Sequence, residues 1–166
     1  MNIKYYYFID EFNKKEIEKL SSKISLIYRN YENKNSSTEF KKLVLFCKNK
    51  RRKVYISNNL KAAIKYNFDG LYIPSFNKCL SFRNIVKDKF EILGSAHNII
   101  ELKIKEKQGC SGIFLSPIFR NNKKKKYLGV VKANLLKNLT NNKIILLGGI
   151  NFKNLKKLKM CAPSGI

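Results

Sequence analysis

The sequence predicts an α/β fold. The expected form is one domain over residues 1–166, a compact (β/α)8 barrel of the TIM type, with trimmed helices or without its last helix. Three observations carry this. Short β-rich runs alternate with helical stretches about eight times, the pattern of parallel βαβ units. Lys143–Leu147 is continuously apolar after its first residue, as expected of a parallel strand buried on both faces. The Ile144-to-Ile150 run ends in Gly148-Gly149, a turn built to receive a phosphate. An open doubly wound sheet is the other architecture the alternation allows. A barrel usually takes ~250 residues, so this one is short.

The elements follow in order. Tyr5–Phe8 is an aromatic strand. Asp10–Leu20 reads as a helix in which Phe12, Ile17 and Leu20 share an apolar face. Ile24–Tyr28 is the second strand. Thr38–Lys48 places Phe40, Leu43, Val44 and Cys47 at helix spacing, with Ser36 or Ser37 as N-cap. Lys53–Ile56 is the third strand and Leu60–Tyr66 a short helix. Gly70–Ile73, ended by Pro74, is the fourth strand, followed by a short helix at Phe82–Val86. Phe90–Leu93 is the fifth strand, running into Gly94-Ser95-Ala96-His97. Asn98–Gln108 is a helix with Gly109 at its C-cap position. Gly112–Leu115 is the sixth strand, stopped by Ser116-Pro117 and followed by a basic loop, Arg120–Lys126. Val130–Leu139 and Phe152–Met160 read as helices around the seventh strand. Ser164-Gly165-Ile166 begins an eighth.

Composition narrows the function classes. Hydrophobic residues make up 44% of the chain, enough for a core and too many for disorder. No apolar run approaches the ~20 residues of a membrane helix. Asp10 and Glu11 interrupt the apolar N-terminal run and no small-residue cleavage site follows, so a signal peptide is not expected and a cytoplasmic protein is. Cys47, Cys79, Cys110 and Cys161 are widely spaced beside a single histidine, which argues against a zinc site and for four buried reduced thiols. The net charge of +24 invites a nucleic-acid reading. Its lysines are spread over nearly every element beside abundant asparagine and isoleucine, the bias of AT-rich codons. Nucleic-acid binding is therefore the last alternative, and steering of small anions the milder reading.

Three segments carry candidate chemistry. Gly148 and Gly149 let the backbone approach an anion, and a helix from Asn151 or Phe152 would add free N–H groups and a positive dipole end. A tight turn that needs glycine for packing alone is the competing reading. Ser95 and His97 sit at the carboxyl end of the fifth strand, where barrel active sites lie. The imidazole suits general acid or base work, against a purely structural histidine. The basic loop after Ser116-Pro117-Ile118-Phe119 could close over phosphates, or simply be solvated.

Taken together, Gly94-Ser95-Ala96-His97, Gly109-Cys110-Ser111-Gly112, Ser116-Pro117-Ile118-Phe119, Leu128-Gly129 and Leu147-Gly148-Gly149-Ile150 resemble the thiamine-phosphate synthase/TenI family. Its members carry G-x-S-x-H, G-P-V-F-x-T-x-T-K and I-G-G-I segments in this order. The resemblance runs from about Lys53 to the C-terminus and more weakly back to Tyr5. It implies a (β/α)8 barrel and a transferase of thiamine biosynthesis that joins hydroxymethylpyrimidine pyrophosphate to thiazole phosphate. It further implies Arg29, Ser95, His97 and Lys124 as catalytic residues, with Gly148, Gly149 and Lys124 on phosphate. Arg29 matches one position of the family's Q-x-R-x-K, while Ile27 and Tyr31 replace the other two. Asn121 and Lys123 stand for its two threonines. Mg²⁺ is implied as cofactor, but Asn58 and Asn77 occupy the metal-aspartate positions, and neutral amides are poor Mg²⁺ ligands. Ile73-Pro74-Ser75 is similar to the TenI branch of thiazole tautomerases, whose catalytic histidine falls at Pro117. A tautomerase, or a degenerate phosphate-ligand-binding barrel, is thus the alternative.

Overall fold

The computed structural model describes residues 3–31, 37–84, 90–120, 126–161 and 163–166. The chain divides into two compact units. One comprises Lys4–Tyr72 and Lys87–Glu91; the other comprises Met1–Ile3, Ile73–Val86 and Ile92–Ile166.

The first unit alternates β1 (Tyr5–Ile9), α1 (Lys14–Glu18), β2 (Ile24–Tyr28), α2 (Ser37–Asn49), β3 (Val54–Ser57), α3 (Leu60–Lys65) and β4 (Gly70–Ile73, of which Ile73 belongs to the second unit). Its strands pair in parallel and in chain order, with Tyr5 opposite Ile24, Leu26 opposite Val54 and Tyr55 opposite Gly70. Every residue of β3 and β4 is buried, the two-sided burial that parallel strands require. The helix α2 packs Phe40, Leu43, Val44 and Cys47 inward, as their spacing predicts. The helix over Asp10–Leu20 is corrected to Lys14–Glu18. The Asn13 side chain accepts from the Glu16 amide and starts the helix there. At Gly70 a Cβ would lie 1.9 Å from the Glu91 carbonyl oxygen, so only glycine fits.

The second unit contains β5 (Glu91–Ala96, of which Ile92 onward belongs here), α4 (Ile99–Lys107), β6 (Gly112–Leu115), α5 (Gly129–Asn138) and β7 (Lys143–Leu146). Strands β5, β6 and β7 are again parallel and in order, with Leu93 opposite Gly112 and Gly112 opposite Lys143. Gly165 forms a single parallel bridge with Ile145, in the place expected of an eighth strand. Three details differ from expectation. Gly94, Ser95 and Ala96 belong to β5 itself and are buried. The turn at Ser81–Asn84 is a 3-10 turn; residues 85 and 86 of the expected helix lie outside the described residues. The helix expected at Phe152–Met160 is a 3-10 helix at Leu155–Cys161. Here the Asn151 side chain captures the amides of Lys153 and Asn154 at 3.0 and 3.2 Å, while Asn154 accepts from the Asn151 amide at 2.9 Å. These local bonds compete with an α-helical start.

Cys47, Cys110 and Cys161 are buried thiols, as expected, and burial pushes Cys47 and Cys110 up to about 12. Cys79 is the correction: it is exposed. Among the described residues, no helix is long and apolar enough to cross a membrane.

Candidate functional site

The carboxyl ends of β5 and β6 meet within the second unit around a cleft of about 540 Å³. His97, Ser116, Pro117, Lys126, Tyr127, Leu128 and Lys132 line it. Ser95, at the end of β5, is 4% exposed. His97 follows β5 and precedes α4, whose N-cap Asn98 accepts from the Glu101 amide. The Glu101 carboxylate in turn accepts from the His97 amide at 2.8 Å. The His97 ring is held at both nitrogens. Its Nδ1 bonds the Ser116 carbonyl, and its Nε2 lies 3.1 Å from Ser75 Oγ.

The loop that brings Ser75 there is tied down from α4. Lys105 is fully buried, and its ammonium donates to the carbonyls of Pro74 (2.8 Å) and Asn77 (2.7 Å) and to Gln108 Oε1 (2.8 Å). Gln108 Nε2 donates to the Asn77 and Cys79 carbonyls at 3.0 and 2.7 Å. Three ammonium protons thus meet three acceptors, which is what makes a buried lysine tolerable. Burial still pulls Lys105 down to about 8, partly offset by Cys110 and Glu101.

The Gly148-Gly149 turn lies against the start of the basic loop. Ile118 donates to the Leu147 carbonyl and Phe119 to the Gly148 carbonyl, both at 3.0 Å. A Cβ on Gly148 would sit 2.9 Å from Pro117, and one on Gly149 would sit 2.6 Å from the Phe119 carbonyl oxygen. Both glycines have positive φ, +94° and +70°. The close approach that demands glycine is thus made by the protein's own backbone. Among the described residues, no acceptor takes the amides of Gly148, Gly149 or Ile150. The α-helix expected behind the turn is absent, so its dipole is not available there.

The sequence-derived residues fall into separate groups. Ser95, His97, Gly148, Gly149 and Asn77 belong to the second unit. Arg29 and Asn58 belong to the first, following β2 and β3. Arg29 holds its guanidinium carbon 4.8 Å from the Phe8 ring centroid, a cation–π contact. Asn58 takes φ +56° and donates its amide to the Tyr72 carbonyl at 2.9 Å. Lys124, with Asn121 and Lys123, lies outside the described residues. Asn77 is poorly suited to a metal. Its Oδ1 accepts from the Cys79 amide at 2.9 Å and its carbonyl already receives the Lys105 ammonium. Among the described residues, no group of three or more histidine, cysteine or acidic side chains is placed to hold an ion. At the Asn77 position the side-chain oxygen is engaged by the chain itself.

Sequence reasoning misses Ser75 as the partner of His97, and it misses Lys105 and Lys132. Ser75 and His97 are 22 positions apart, and only the pairing of carboxyl ends in space joins them. A lysine among apolar residues at Leu102 and Ile104 is the available signal for Lys105.

A family model described as thiamine monophosphate synthase matches residues 15–166. The chain belongs to the thiamine monophosphate synthase family. It is 29% identical over 114 residues to the thiamine-phosphate synthase of Methanococcus vannielii, covering 68% of this chain and 55% of that one. It is 27% identical over 124 residues to the enzyme of the same name from Prochlorococcus marinus, covering 73% of this chain and 36% of that one. The chain therefore spans about half or less of the length of these relatives. Among solved structures, a thiamine phosphate pyrophosphorylase from Pyrococcus furiosus aligns with a TM-score of 0.67 at 16% identity, over 86% of this chain and 70% of that one. A structure described as native KDPGal aligns with a TM-score of 0.71 at 11% identity, over 99% and 82%. At those identities the likeness is one of fold. The synthase-family membership and the α/β fold of parallel strands in chain order agree with the sequence expectation.

Proposed function

We propose that this family member is a thiamine-phosphate synthase-like transferase on a (β/α)8 barrel, joining hydroxymethylpyrimidine pyrophosphate to thiazole phosphate. The observation that carries it is the cleft beside His97, where Lys126 and Lys132 present positive charge at the carboxyl ends of β5 and β6. In such a reaction the pyrimidine C–O bond breaks with its electrons leaving on pyrophosphate, and the thiazole nitrogen attacks the cationic carbon. Fixed cations stabilise the departing charge. Gly148 and Gly149 would offer amides to a phosphate, and the family resemblance assigns Lys124 to phosphate and Arg29 to pyrophosphate. Ser95 and His97 would orient the reacting groups. Because the oxygens of Asn77 are occupied and a lysine ammonium stands on one of them, lysine charge is assigned the role that Mg²⁺ would otherwise fill. Phosphorylated small molecules are the partners and the cytoplasm is the compartment. For the fold, parallel strands in chain order and the Gly165 bridge to β7 support a barrel begun on its eighth strand.

One contact favours a second reading. Ser75 of the Ile73-Pro74-Ser75 segment touches the His97 ring, which suits proton movement in a TenI-like tautomerase.

The deciding experiment is a coupled assay for thiamine phosphate with and without Mg²⁺, beside thermal denaturation with thiazole phosphate. Product that forms without Mg²⁺ is the expected result. Saturable stabilisation without product would leave a ligand-binding member. Neither response at millimolar ligand would remove the family function from this chain.

A further inference from the structure

We propose that Ser75 and His97 form a nucleophile–base pair that accepts an acyl group from a carboxylic ester. The argument rests on the contact of Ser75 with His97, which the synthase reading does not use. A carbonyl oxygen can only accept, so the bond from His97 to the Ser116 carbonyl places the ring hydrogen on Nδ1. In the neutral ring Nε2 is then the acceptor, and the Ser75 hydroxyl, 3.1 Å away, donates to it. Nucleophile, base and a third group that orients the base are the elements of an activated serine. Here the third group is a backbone carbonyl, which fixes the tautomer without adding a negative charge.

Both members are held in place. Lys105 and Gln108 fasten the carbonyls of Pro74, Asn77 and Cys79 on the Ser75 loop. Glu101 fastens the His97 amide. Such clamping keeps a hydroxyl within reach of its base, the positioning that intramolecular catalysis needs. Ser75 is half-buried, and His97 opens on the cleft beside Lys126 and Lys132.

In the step, Ser75 Oγ bonds to the ester carbonyl carbon as its proton passes to Nε2. The imidazolium keeps its Nδ1–H on the Ser116 carbonyl. The bond from carbonyl carbon to alkoxide then breaks, and the Nε2 proton leaves with the alkoxide as an alcohol. Water, losing a proton to Nε2, next attacks the acyl-serine. The carboxylic acid departs and Ser75 regains its proton.

The test treats the full chain with a fluorophosphonate, which marks activated serines, and with 4-nitrophenyl acetate. Peptide mass spectrometry then locates the adducts. A phosphonate on Ser75, a stoichiometric burst of nitrophenolate, and a labelling rate that falls in acid are the expected results. S75A should take no phosphonate, and H97Q should label slower by on the order of 100-fold or more, with unchanged circular dichroism. If H97Q does not fold, the wild-type adduct site and its pH profile still decide. No phosphonate adduct, an adduct only on lysine or tyrosine, or labelling without pH dependence would overturn the pair. Thiazole phosphate binding is indifferent to all these outcomes, so failure here leaves the synthase reading standing.

Discussion

The two units use the same βα alternation, but the first joins its charged side chains at strand starts while the second opens a cleft at strand ends. In the first, Glu91, Lys53 and Arg52 stand where strands begin. Glu91 accepts from Lys53 and from Tyr55 Oη and lies 4.0 Å from Lys4. Arg52, just before β3, donates to the carbonyls of Leu20 and Ile24 at 2.9 and 2.8 Å. These groups satisfy chain ends and neighbouring backbone. In the second unit the histidine and its partners stand where strands end: Ser75 after β4, His97 after β5 and Ser116 after β6. There a cleft opens. The division is that of parallel α/β folds generally, with stability at strand starts and chemistry at strand ends. The buried Lys105 sits outside this division, since it is a structural cation serving the chemical end.

The sharpest way to break that comparison is to remove Lys105. K105M leaves Gln108 Oε1 without its buried donor, the Pro74 carbonyl with the Asn77 amide alone and the Asn77 carbonyl with Gln108 alone. Each acceptor left dry costs roughly 1–3 kcal/mol, so this variant should lose the most stability in urea unfolding. It should also loosen Ser75 from His97. The pH dependence has a definite sign. The folded value, about 8, lies below the ordinary 10.5. Below pH 8 both states carry the charge and the burial cost is fully present. Between 8 and 10.5 the unfolded chain holds a proton that the folded chain has lost, so this group makes stability rise with pH. The wild-type minus K105M difference should grow across that window. A flat difference would mean that Lys105 keeps its ordinary proton affinity.

Much of the fold is legible in the order of the residues. All seven strands stand out to within a residue or so except β5, because two-sided burial writes itself as apolar runs such as Ile144–Leu146. The α2 face is equally plain. What apolar spacing does not reveal is local competition. Asn13 and Asn151 use their side chains to set where a helix starts, and spacing alone cannot tell a 3-10 helix at Leu155–Cys161 from an α-helix. Gly94-Ser95-Ala96 reads as a strand exit, yet it is strand: a Cβ on Gly94 would meet Cys110 Sγ at 2.7 Å, so that glycine is a packing choice. The site is half legible. His97 is visible as the sole histidine, but its partners Ser75 and Ser116 are far away in sequence and meet it only through strand order.

The glycine turn after β7 offers a smaller test of the same comparison. In G149A the new methyl would meet the Phe119 carbonyl oxygen at 2.6 Å, and the residue would stay at φ +70°. A non-glycine residue in such a conformation costs about 1–3 kcal/mol. The loss should appear in urea unfolding, and the Pro117–Phe119 segment should exchange its amide hydrogens faster. If stability is unchanged, the close contact between turn and loop is not maintained in solution, and the turn is free to serve a phosphate alone.

The smallest effect belongs to the first unit. Burial raises the Glu91 carboxyl, but the Lys53 and Tyr55 hydrogen bonds outweigh it and leave it below the usual range. A carboxyl lowered in the folded state contributes stability above its unfolded value of about 4.5, and loses it as pH falls through the folded value. The Lys53 side chain is half exposed, so solvent screening keeps the gain under about 1 kcal/mol. E91Q retains an oxygen for Tyr55 and removes only the charge. Its deficit in urea unfolding should therefore be small at pH 7 and close by pH 3. A deficit that persists at pH 3 would assign the role of Glu91 to shape and hydrogen bonding, and would make the strand starts of the first unit as independent of charge as its core.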